Sequence, residues 1–198
     1  MISHLHASGG RGRVRRLVVL AILIAAATSG TPAGATDGSE ATVVTVTEAR
    51  GVYTVNARFQ VPQRPPAVRA VLTDYERIPR FMPGVRSSVV RERGTAGMVV
   101  EQEGVSRFMM FSKRVHLVLD ITETADTLSF RDRCGRSFSR YEGSWRYVAS
   151  DGGTEIVYQL AAQPSFDVPE FILKRLLKRD SGQMIDALRK EIAARRRP

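Results

Sequence analysis

The sequence contains little of the side-chain chemistry that most catalytic and metal sites need. Its 198 residues include one cysteine, Cys134, and three histidines. A single cysteine excludes an intramolecular disulfide and a zinc site built on several thiolates. His4 and His6 lie near the N-terminus, so His116 is the only histidine that we expect within the fold. We therefore predict a protein with no catalytic residues, no metal site and no cofactor.

The short motifs of common enzyme sites are also missing from the sequence. There is no glycine-rich phosphate loop followed by a helix, no His-Glu-x-x-His zinc motif, no Gly-x-Ser-x-Gly hydrolase motif and no calcium-binding loop. The acidic residues are scattered, which gives no support for the paired carboxylates of a glycosidase. What remains is a chain of single-domain length with little catalytic equipment.

The N-terminal 35 residues are typical of a secretory signal peptide. Residues 11–16 carry four arginines and no acid, and residues 17–27 are eleven uninterrupted apolar residues. Ala33 and Ala35 then provide the small residues of an A-x-A cleavage site. The apolar run is shorter than the roughly 20 residues of a membrane-spanning helix, although an uncleaved anchor remains an alternative. We predict cleavage after Ala35 and an exported protein, periplasmic or extracellular.

The predicted cleavage changes the meaning of the basic composition. The whole chain has 30 Lys and Arg against 20 Asp and Glu, a net charge of +10. Removing the four arginines of residues 1–35 leaves 26 basic against 20 acidic side chains, a net charge of +6. Together with the export signal, this weakens a nucleic-acid interpretation, and we expect no nucleic-acid partner.

The mature chain shows the period-two pattern of an antiparallel sheet. Residues 36–42 are small and polar and form a predicted flexible lead-in to a domain at 43–198. Apolar residues alternate with polar ones from Tyr53 to Val61, which predicts the first strand. The later strands are predicted near residues 85–93, 98–105, 107–122, 127–132, 138–149 and 154–163. Their short connections require antiparallel neighbours, so we expect one curved sheet of about seven strands.

Helical patterns follow the first predicted strand and the last one. Two short helices are predicted after the first strand, the first opening at Pro66. A long helix is predicted from Glu170 to about Arg195. At 100° per residue, its apolar side chains cover an arc of about 120°, wide enough to lie on a sheet. The arc contains Leu173, Met184, Leu177, Leu188, Ser181, Ile192 and Ile185. The predicted fold class is α+β, with the long helix packed across the sheet.

This order of elements and three local stretches resemble the START-like helix-grip superfamily. The stretches are residues 71–83, residues 141–145 with the sequence Tyr-Glu-Gly-Ser-Trp, and residues 154–158. Within the superfamily, the chain is most similar to the polyketide cyclase/dehydrase group, which includes coenzyme Q-binding proteins. The resemblance covers about residues 50–193 and implies a cavity between the curved sheet and the long helix. Such a cavity usually holds a hydrophobic small molecule or a lipid.

The candidate ligand-binding residues are those expected to line that cavity. They are aromatic or Met residues of the strands and helix pair, together with residues of the apolar helical arc. The set is Tyr53, Phe59, Phe81, Met109, Phe111, Trp145, Tyr158, Leu177, Ser181 and Met184. Aromatic residues at alternate strand positions are also ordinary core residues, so that alternative stays open. Polar orientation of a ligand is expected from Tyr53, Tyr158 or Lys174.

Three functions follow from the resemblance. The leading one is an exported, non-enzymatic carrier of a lipid, an isoprenoid quinone or a similar ligand. The second is an enzyme of the cyclase or dehydratase type, with Tyr141, Tyr158, Arg140 and Arg146 as its polar candidates. A ribosome-interacting toxin conflicts with the export signal. The basic C-terminal helix, including Arg195 and the two residues after it, is a possible contact for an anionic membrane.

Overall fold

The computed structural model describes residues 42–95, 97–108 and 111–195. The strands are β1 Val43–Ala49, β2 Val52–Val61, β3 Val85–Arg93, β4 Met98–Phe108, β5 Phe111–Glu123, β6 Thr127–Asp132, β7 Phe138–Ser150 and β8 Gly153–Pro164. The helices are α1 Pro65–Leu72, α2 Ile78–Phe81 and α3 Glu170–Ala194, with a 3-10 turn at Tyr75–Arg77 between α1 and α2. The predicted signal peptide and the lead-in up to residue 41 lie outside the described residues.

The described sheet has eight strands, one more than the sequence pattern predicted. The additional strand, β1, pairs along its whole length with β2 through a turn at Arg50 and Gly51. Both turn residues have positive φ, 53° and 79°. A two-residue turn of this kind usually carries Asn-Gly or Asp-Gly. Because Arg-Gly is not such a signal, the sequence pattern predicts only the strand from Tyr53 to Val61 and no hairpin before it.

The sheet wraps around α3. All neighbouring strands are antiparallel, in the order β1-β2-β8-β7-β6-β5-β4-β3. β1 and β2, at one end of this order, pack against α3. Near the other end, the Ser106 hydroxyl of β4 donates a hydrogen bond of 2.6 Å to Asp180 of α3. A flat sheet could not reach one helix from both ends, so the sheet is strongly curved.

The apolar arc predicted for α3 is confirmed by burial. Leu173, Ser181, Ile185, Leu188 and Ile192 are buried, and the other two members of the arc are half-buried. The predicted α+β class, with a long C-terminal helix across a curved antiparallel sheet, is therefore correct. Among the described residues, no helix combines the length and apolar character that crossing a membrane requires.

Polar contacts fix the helix pair to the sheet and to the end of α3. The Tyr75 hydroxyl donates to Glu123 of β5 at 2.7 Å, and Arg69 pairs with the same carboxylate at 3.2 Å. Burial, followed by the bond to Glu123, raises the pKa of Tyr75 far above its ordinary value. Arg195 pairs with Asp74 at 2.8 Å. Its guanidinium is therefore engaged within the protein.

Candidate functional site

Two adjoining cavities lie between the concave face of the sheet and α3. The first, called here the inner chamber, has a volume of about 160 Å³ and is closed by α1, the 3-10 turn and α2. The second, the outer chamber, has a volume of about 410 Å³ and follows the N-terminal half of α3. Residues common to both linings are Met82, Val85, Tyr141, Tyr158 and Met184. The shared walls show that the two chambers meet.

The inner chamber is aromatic and uncharged. Its aromatic lining residues are Tyr75, Phe81, Phe130, Tyr141, Trp145 and Tyr158, and none of the described residues in its lining is charged. Two of its polar groups already have partners within the protein. Tyr75 donates to Glu123, and the Gln102 amide donates to Ser88 at 3.2 Å. The hydroxyls of Tyr141 and Tyr158, the indole N–H of Trp145 and the second N–H of the Gln102 amide are further polar groups in its lining.

The register of β7 and β8 brings the aromatic residues together. Trp145 lies opposite Tyr158 in the ladder, and their rings are in contact, with centroids 4.2 Å apart and planes tilted by 31°. Tyr141 and Gly143 project on the same face as Trp145, because side chains alternate along a strand. A Cβ on Gly143 would lie 2.7 Å from the Phe130 ring and 2.2 Å from a backbone oxygen of β8. Glycine at this position therefore allows the Phe130 ring to pack against β7.

Tyr141 and Tyr158 form a hydroxyl pair in the lining of both chambers. Burial, and then the nearby Asp132, raise the pKa of Tyr141 to about 12. Burial, and then Tyr141, raise the pKa of Tyr158 well above its ordinary value. The interaction between the hydroxyls lowers the pKa of Tyr141 and raises that of Tyr158, so the two hydroxyls lie close to each other. Both hydroxyls are therefore protonated at neutral pH.

The outer chamber combines apolar walls with a charged rim. Its apolar walls come from α3 and the segment before it, and they include Phe166, Val168, Ile172, Leu173, Leu176 and Leu177. The charged residues in its lining are Lys113, Asp167 and Asp180. Lys113 and Asp167 are exposed, and the Lys113 ammonium lies 4.3 Å from the centre of the Phe166 ring. The chamber thus suits an apolar chain whose polar end reaches solvent.

A polar groove adjoins both chambers. It has a volume of about 640 Å³ and shares Met82, Val85 and Tyr141 with them. Arg179, Asp180 and other polar side chains line it. Tyr141 therefore stands where the inner chamber, the outer chamber and the groove come together.

Six of the predicted ligand-binding residues line the chambers. They are Phe81, Trp145, Tyr158, Leu177, Ser181 and Met184. Tyr53 and Phe59 line neither chamber, although both lie on the inner face of β2. The physical reason is that β2 packs directly beneath α3, whose side chains fill the space above it. The Arg189 guanidinium, for example, lies 5.2 Å from the centre of the Phe59 ring.

The remaining candidates are not part of either described chamber lining. Met109 lies outside the described residues, and Phe111 is described only as the first residue of β5. Lys174 pairs with Glu170 and lines a separate surface depression beside β1. Arg140 and Arg146 are exposed on the outer face of β7, where Arg140 pairs with Glu142. The two arginines proposed for an enzyme thus face away from the chambers.

Sequence reasoning missed several lining residues whose pattern was available. Phe130, Phe138, Leu119 and Gln102 line a chamber but were not among the candidates. Phe130 lies opposite Gly143 in the β6–β7 ladder. Extending the set from Trp145 to its same-face neighbours on β7, and then across the ladder, would have included Phe130. Phe138 has the opposite parity, and the register shift between Phe138 and Arg140 hid it from the alternation pattern.

His116 and Cys134 lie apart from both chambers. The His116 ring nitrogens are 3.7 Å from a Glu101 carboxylate oxygen and 3.6 Å from one of Glu103. These residues occupy the outer face of the sheet, as the alternation of β5 predicted. The Cys134 thiol is 3.6 Å from Asp132. Within the part of the chain that the structure describes, no three His, Cys, Asp or Glu side chains are grouped as a metal site requires.

Comparisons with known proteins agree with this geometry. Residues 61–189 match the model of the family "Polyketide cyclase / dehydrase and lipid transport". The search of curated proteins gives no match. Similar solved structures include a STAR-related lipid transfer protein from Xanthomonas axonopodis, with 16% identity, TM-score 0.58, and coverage of 76% of this chain and 98% of that one.

Two further structures are similar over nearly their whole length. A START superfamily protein from Mycobacterium smegmatis has 14% identity and TM-score 0.62, covering 71% of this chain and 97% of its own. An aromatase/cyclase from a Streptomyces species has 15% identity and TM-score 0.64, covering 74% and 96%. At these identities the structures show the fold alone. The family match spans well over half of the sequence, and the chain belongs to the polyketide cyclase/dehydrase and lipid transport family.

Proposed function

We propose that this protein is an exported, non-enzymatic carrier of a hydrophobic or amphiphilic molecule. The observation that carries the proposal is the pair of adjoining chambers, uncharged inside and charged only at the outer rim. A ligand in them would be held mainly by removing its apolar surface from water, at about 25 cal/mol per Å². Tyr141 and Tyr158 would orient its polar group. The family and the lipid transfer protein of the same fold are consistent with such a ligand.

A carrier is favoured over a cyclase by the polar groups that face the chambers. The two tyrosines have raised pKa values, so they are poor proton acceptors at neutral pH. Ser181 faces the outer chamber, and no histidine, lysine or carboxylate bonded to its hydroxyl is found among the described residues. An enzyme that only folds its substrate could still act through proximity. The aromatase/cyclase of the same fold supports keeping that function as the alternative.

The carrier proposal is tested by filling the outer chamber with a large side chain. Ser181 is buried and lines the outer chamber, so Ser181→Trp should occupy the space that a ligand needs. We expect the variant to lose at least 20-fold in affinity for an apolar fluorescent probe, with its thermal midpoint close to that of the parent. Ser181→Ala is the matched control and should bind the probe as the parent does. A parent protein that binds no probe, or a Ser181→Trp variant that binds normally, would overturn the carrier proposal.

The proposed enzyme alternative is tested on the same protein. Material purified from its own cells is extracted with solvent, and the extract is analysed by mass spectrometry. A lipid or similar molecule recovered unchanged after incubation supports the carrier. Conversion of an aromatic or polyketide-type substrate, abolished by Ser181→Trp, supports the enzyme instead.

Export is proposed from the basic segment, apolar run and cleavage site of residues 1–35. We expect the mature chain to begin at Thr36 and to be recovered from the periplasm or the medium. N-terminal sequencing after cell fractionation measures both properties. A cytoplasmic chain that begins at Met1 would contradict the proposal.

We propose that one side of α3 contacts an anionic membrane, from which the protein takes up its ligand. Phe171 is 73% exposed, and Arg175 and Lys178 follow it at helical spacings of four and three residues. This exposed aromatic ring with two cations suits an anionic lipid surface, to which each basic residue contributes about 1 kcal/mol. The three residues line a depression together with Val44 and Val46 of β1.

Charge-reversal variants test whether vesicle binding depends on this surface or only on the net charge of α3. Arg175→Glu should lower binding to phosphatidylglycerol vesicles about tenfold at low salt and leave the weak binding to phosphatidylcholine vesicles unchanged. Lys190→Glu, an exposed position near the other end of α3, is the matched control and should have a smaller effect. Vesicle sedimentation measures both variants. Equal losses in the two would indicate net charge alone and would contradict a defined surface.

A further inference from the structure

We propose that α2 and the two residues after it form a movable flap over the inner chamber, and that Arg195 at the end of α3 is the clasp that holds this flap shut. The flap comprises residues 78–83. In this arrangement Arg195 controls the rate at which a ligand enters and leaves the inner chamber. The inference rests on the proposed carrier function and deepens it by naming the side chain that regulates ligand exchange.

The flap is the wall between the inner chamber and solvent. Phe81 lines the inner chamber and also an open groove of about 690 Å³ beside the C-terminal half of α3. Met82 lines the inner chamber, the outer chamber and the polar groove. Displacing these two side chains would therefore connect the inner chamber to the outside without moving a strand or α3.

The chain before the flap is firmly attached, whereas the flap is not. Val68 and Val71 of α1 are fully buried, and the Tyr75 hydroxyl is bonded to Glu123 of β5. None of the six flap residues is buried, and α2 is a helix of four residues. Most helical stability in proteins comes from packing of an apolar face. The flap is therefore the part of this region that opens at the lowest cost in free energy.

Gly84 provides a hinge at the end of the flap. Its φ is 80°, in the left-handed region that favours glycine. Its carbonyl oxygen accepts a hydrogen bond of 2.8 Å from the Val105 amide of β4. Gly84 is thus fixed to the sheet while the chain before it can turn, as expected of a hinge at the boundary of an element.

Arg195 reaches the flap from the end of α3. Its guanidinium pairs with Asp74 at 2.8 Å and with Glu191 of its own helix at 2.8 Å. It also donates a hydrogen bond of 3.1 Å to the backbone oxygen of Ala70 in α1. The central carbon of the guanidinium lies 6.0 Å from the centre of the Phe81 ring. These contacts place a cation beside the ring that separates the inner chamber from the groove, where it attracts the ring face.

A network of charges keeps Arg195 in this position. Arg77, which directly precedes the flap, lies 3.7 Å from Asp74 and 3.9 Å from Glu191. Two arginines and two carboxylates therefore link the start of the flap to the end of α3. A network of this kind orders its side chains better than an isolated surface pair does. Because Arg195 is held there, opening the flap must separate Phe81 from a fixed cation.

A clasp of this kind changes rates rather than affinity. The flap must open for both entry and exit, and it is closed in the free and in the loaded protein. A weaker clasp raises the population of the open state, so both rates rise by the same factor and the dissociation constant is unchanged. A residue that contacted the ligand or supported the core would change affinity or stability instead.

The test uses N-phenyl-1-naphthylamine, an uncharged apolar fluorophore, with the mature full-length protein. Its binding is followed by quenching of Trp145, which lines the inner chamber and is the only tryptophan of the chain. In stopped-flow mixing, Arg195→Met should raise the association and dissociation rates about tenfold and leave the affinity within about threefold. Lys190→Met is the matched control, because it removes an exposed cation from the same helix. It should leave both rates unchanged.

Two further variants test the clasp through its partners. Phe81→Leu keeps an apolar wall but removes the ring beside the cation, so it should also raise both rates, and it carries the test if Arg195→Met does not fold. Asp74→Asn should raise them by a smaller factor. Added to Arg195→Met, it should have no further effect, because Asp74 acts by holding the guanidinium. Multiplying effects in that double variant would contradict a single clasp at Arg195.

Hydrogen exchange gives a readout that needs no ligand. The Met82 amide donates to the Ile78 oxygen at 2.8 Å at the end of α2, and the Thr73 amide donates to the Arg69 oxygen at 2.9 Å at the end of α1. Arg195→Met should speed exchange about tenfold at Met82 and leave it nearly unchanged at Thr73. Equal acceleration at both amides would show general loosening of the helix pair and would overturn the flap.

The remaining outcomes separate the clasp from the carrier function itself. If the parent binds the fluorophore and Ser181→Trp abolishes binding, but Arg195→Met changes neither rate, the clasp is wrong and the carrier proposal stands. If Arg195→Met raises only the dissociation rate, Arg195 stabilises the loaded protein rather than a closed flap, and the inference fails. If the parent binds no fluorophore, both proposals fail together.

Discussion

The two halves of α3 present the same apolar stripe to different surroundings. Ile185 and Ile192 in the C-terminal half are at most 1% exposed and line neither chamber, and α1 and α2 pack against the helix. Leu176 and Leu177 in the N-terminal half are half-buried and face the outer chamber. Periodicity shows which side of a helix leaves water, but it does not show whether the facing space is filled. Here α1 and α2 supply the side chains that close one half of the space.

Truncating one side chain in each half of α3 should give the largest difference in unfolding free energy. Ile192→Ala removes methylene and methyl groups from filled core and should cost about 2–5 kcal/mol of unfolding free energy. Leu177→Ala only enlarges a space that already exists, so we expect a cost of about 1 kcal/mol. Urea denaturation measures both. Equal losses would mean that the N-terminal half is also packed core.

A methyl group added on the chamber face of the sheet should have the next largest effect on the unfolding free energy. Gly143→Ala places a Cβ against the Phe130 ring and a backbone oxygen of β8, and overpacking of this kind costs about 1–3 kcal/mol. Gly182→Ala is the matched control, because a Cβ at that helical position meets nothing within 4 Å. It should stabilise the helix by up to about 1 kcal/mol. A Gly143→Ala protein as stable as the parent would show that both the Phe130 ring and the backbone of β8 shift to make room, and would contradict the close packing described here.

Alkaline pH should weaken the chamber side through Tyr141. Its folded pKa is raised to about 12, above the value of about 10 expected in the unfolded chain. Between these values the folded state binds more protons than the unfolded state, so stability present below pH 10 is lost as the pH rises, at about 1.4 kcal/mol per pH unit. Tyr141→Phe should reduce the loss between pH 10 and 11 by about 1 kcal/mol in urea denaturation. An unchanged slope would place the Tyr141 hydroxyl in water.

We expect the smallest effect on ligand affinity from substitutions on the outer face of the sheet, away from α3. Replacing His116 and Cys134 together with alanine should leave the affinity for the apolar probe within threefold. Neither side chain lines a chamber. A 100-fold loss of binding in a folded double variant would place function on the outer face.

The sequence predicted the order of elements and most strand faces because both follow from local periodicity. It failed at the hairpin between β1 and β2, where Arg50 and Gly51 carry no usual turn signature. For the site, it selected Trp145 and Tyr158, which line the inner chamber, but also Tyr53 and Phe59, which line neither chamber. All four lie on the inner face of the sheet, and only the position of α3 above it separates chamber from core.

By itself, then, the sequence determined the α+β class, the long amphipathic helix and the aromatic inner face of the sheet. These properties depend on alternation over a few residues, which short-range sterics and the removal of apolar side chains from water translate directly into structure. The tertiary structure decided which part of the inner face remains open and which polar contacts hold the helices against the sheet. Both depend on the curvature of the sheet and on contacts between residues far apart in the chain, such as Ser106 with Asp180 and Tyr75 with Glu123.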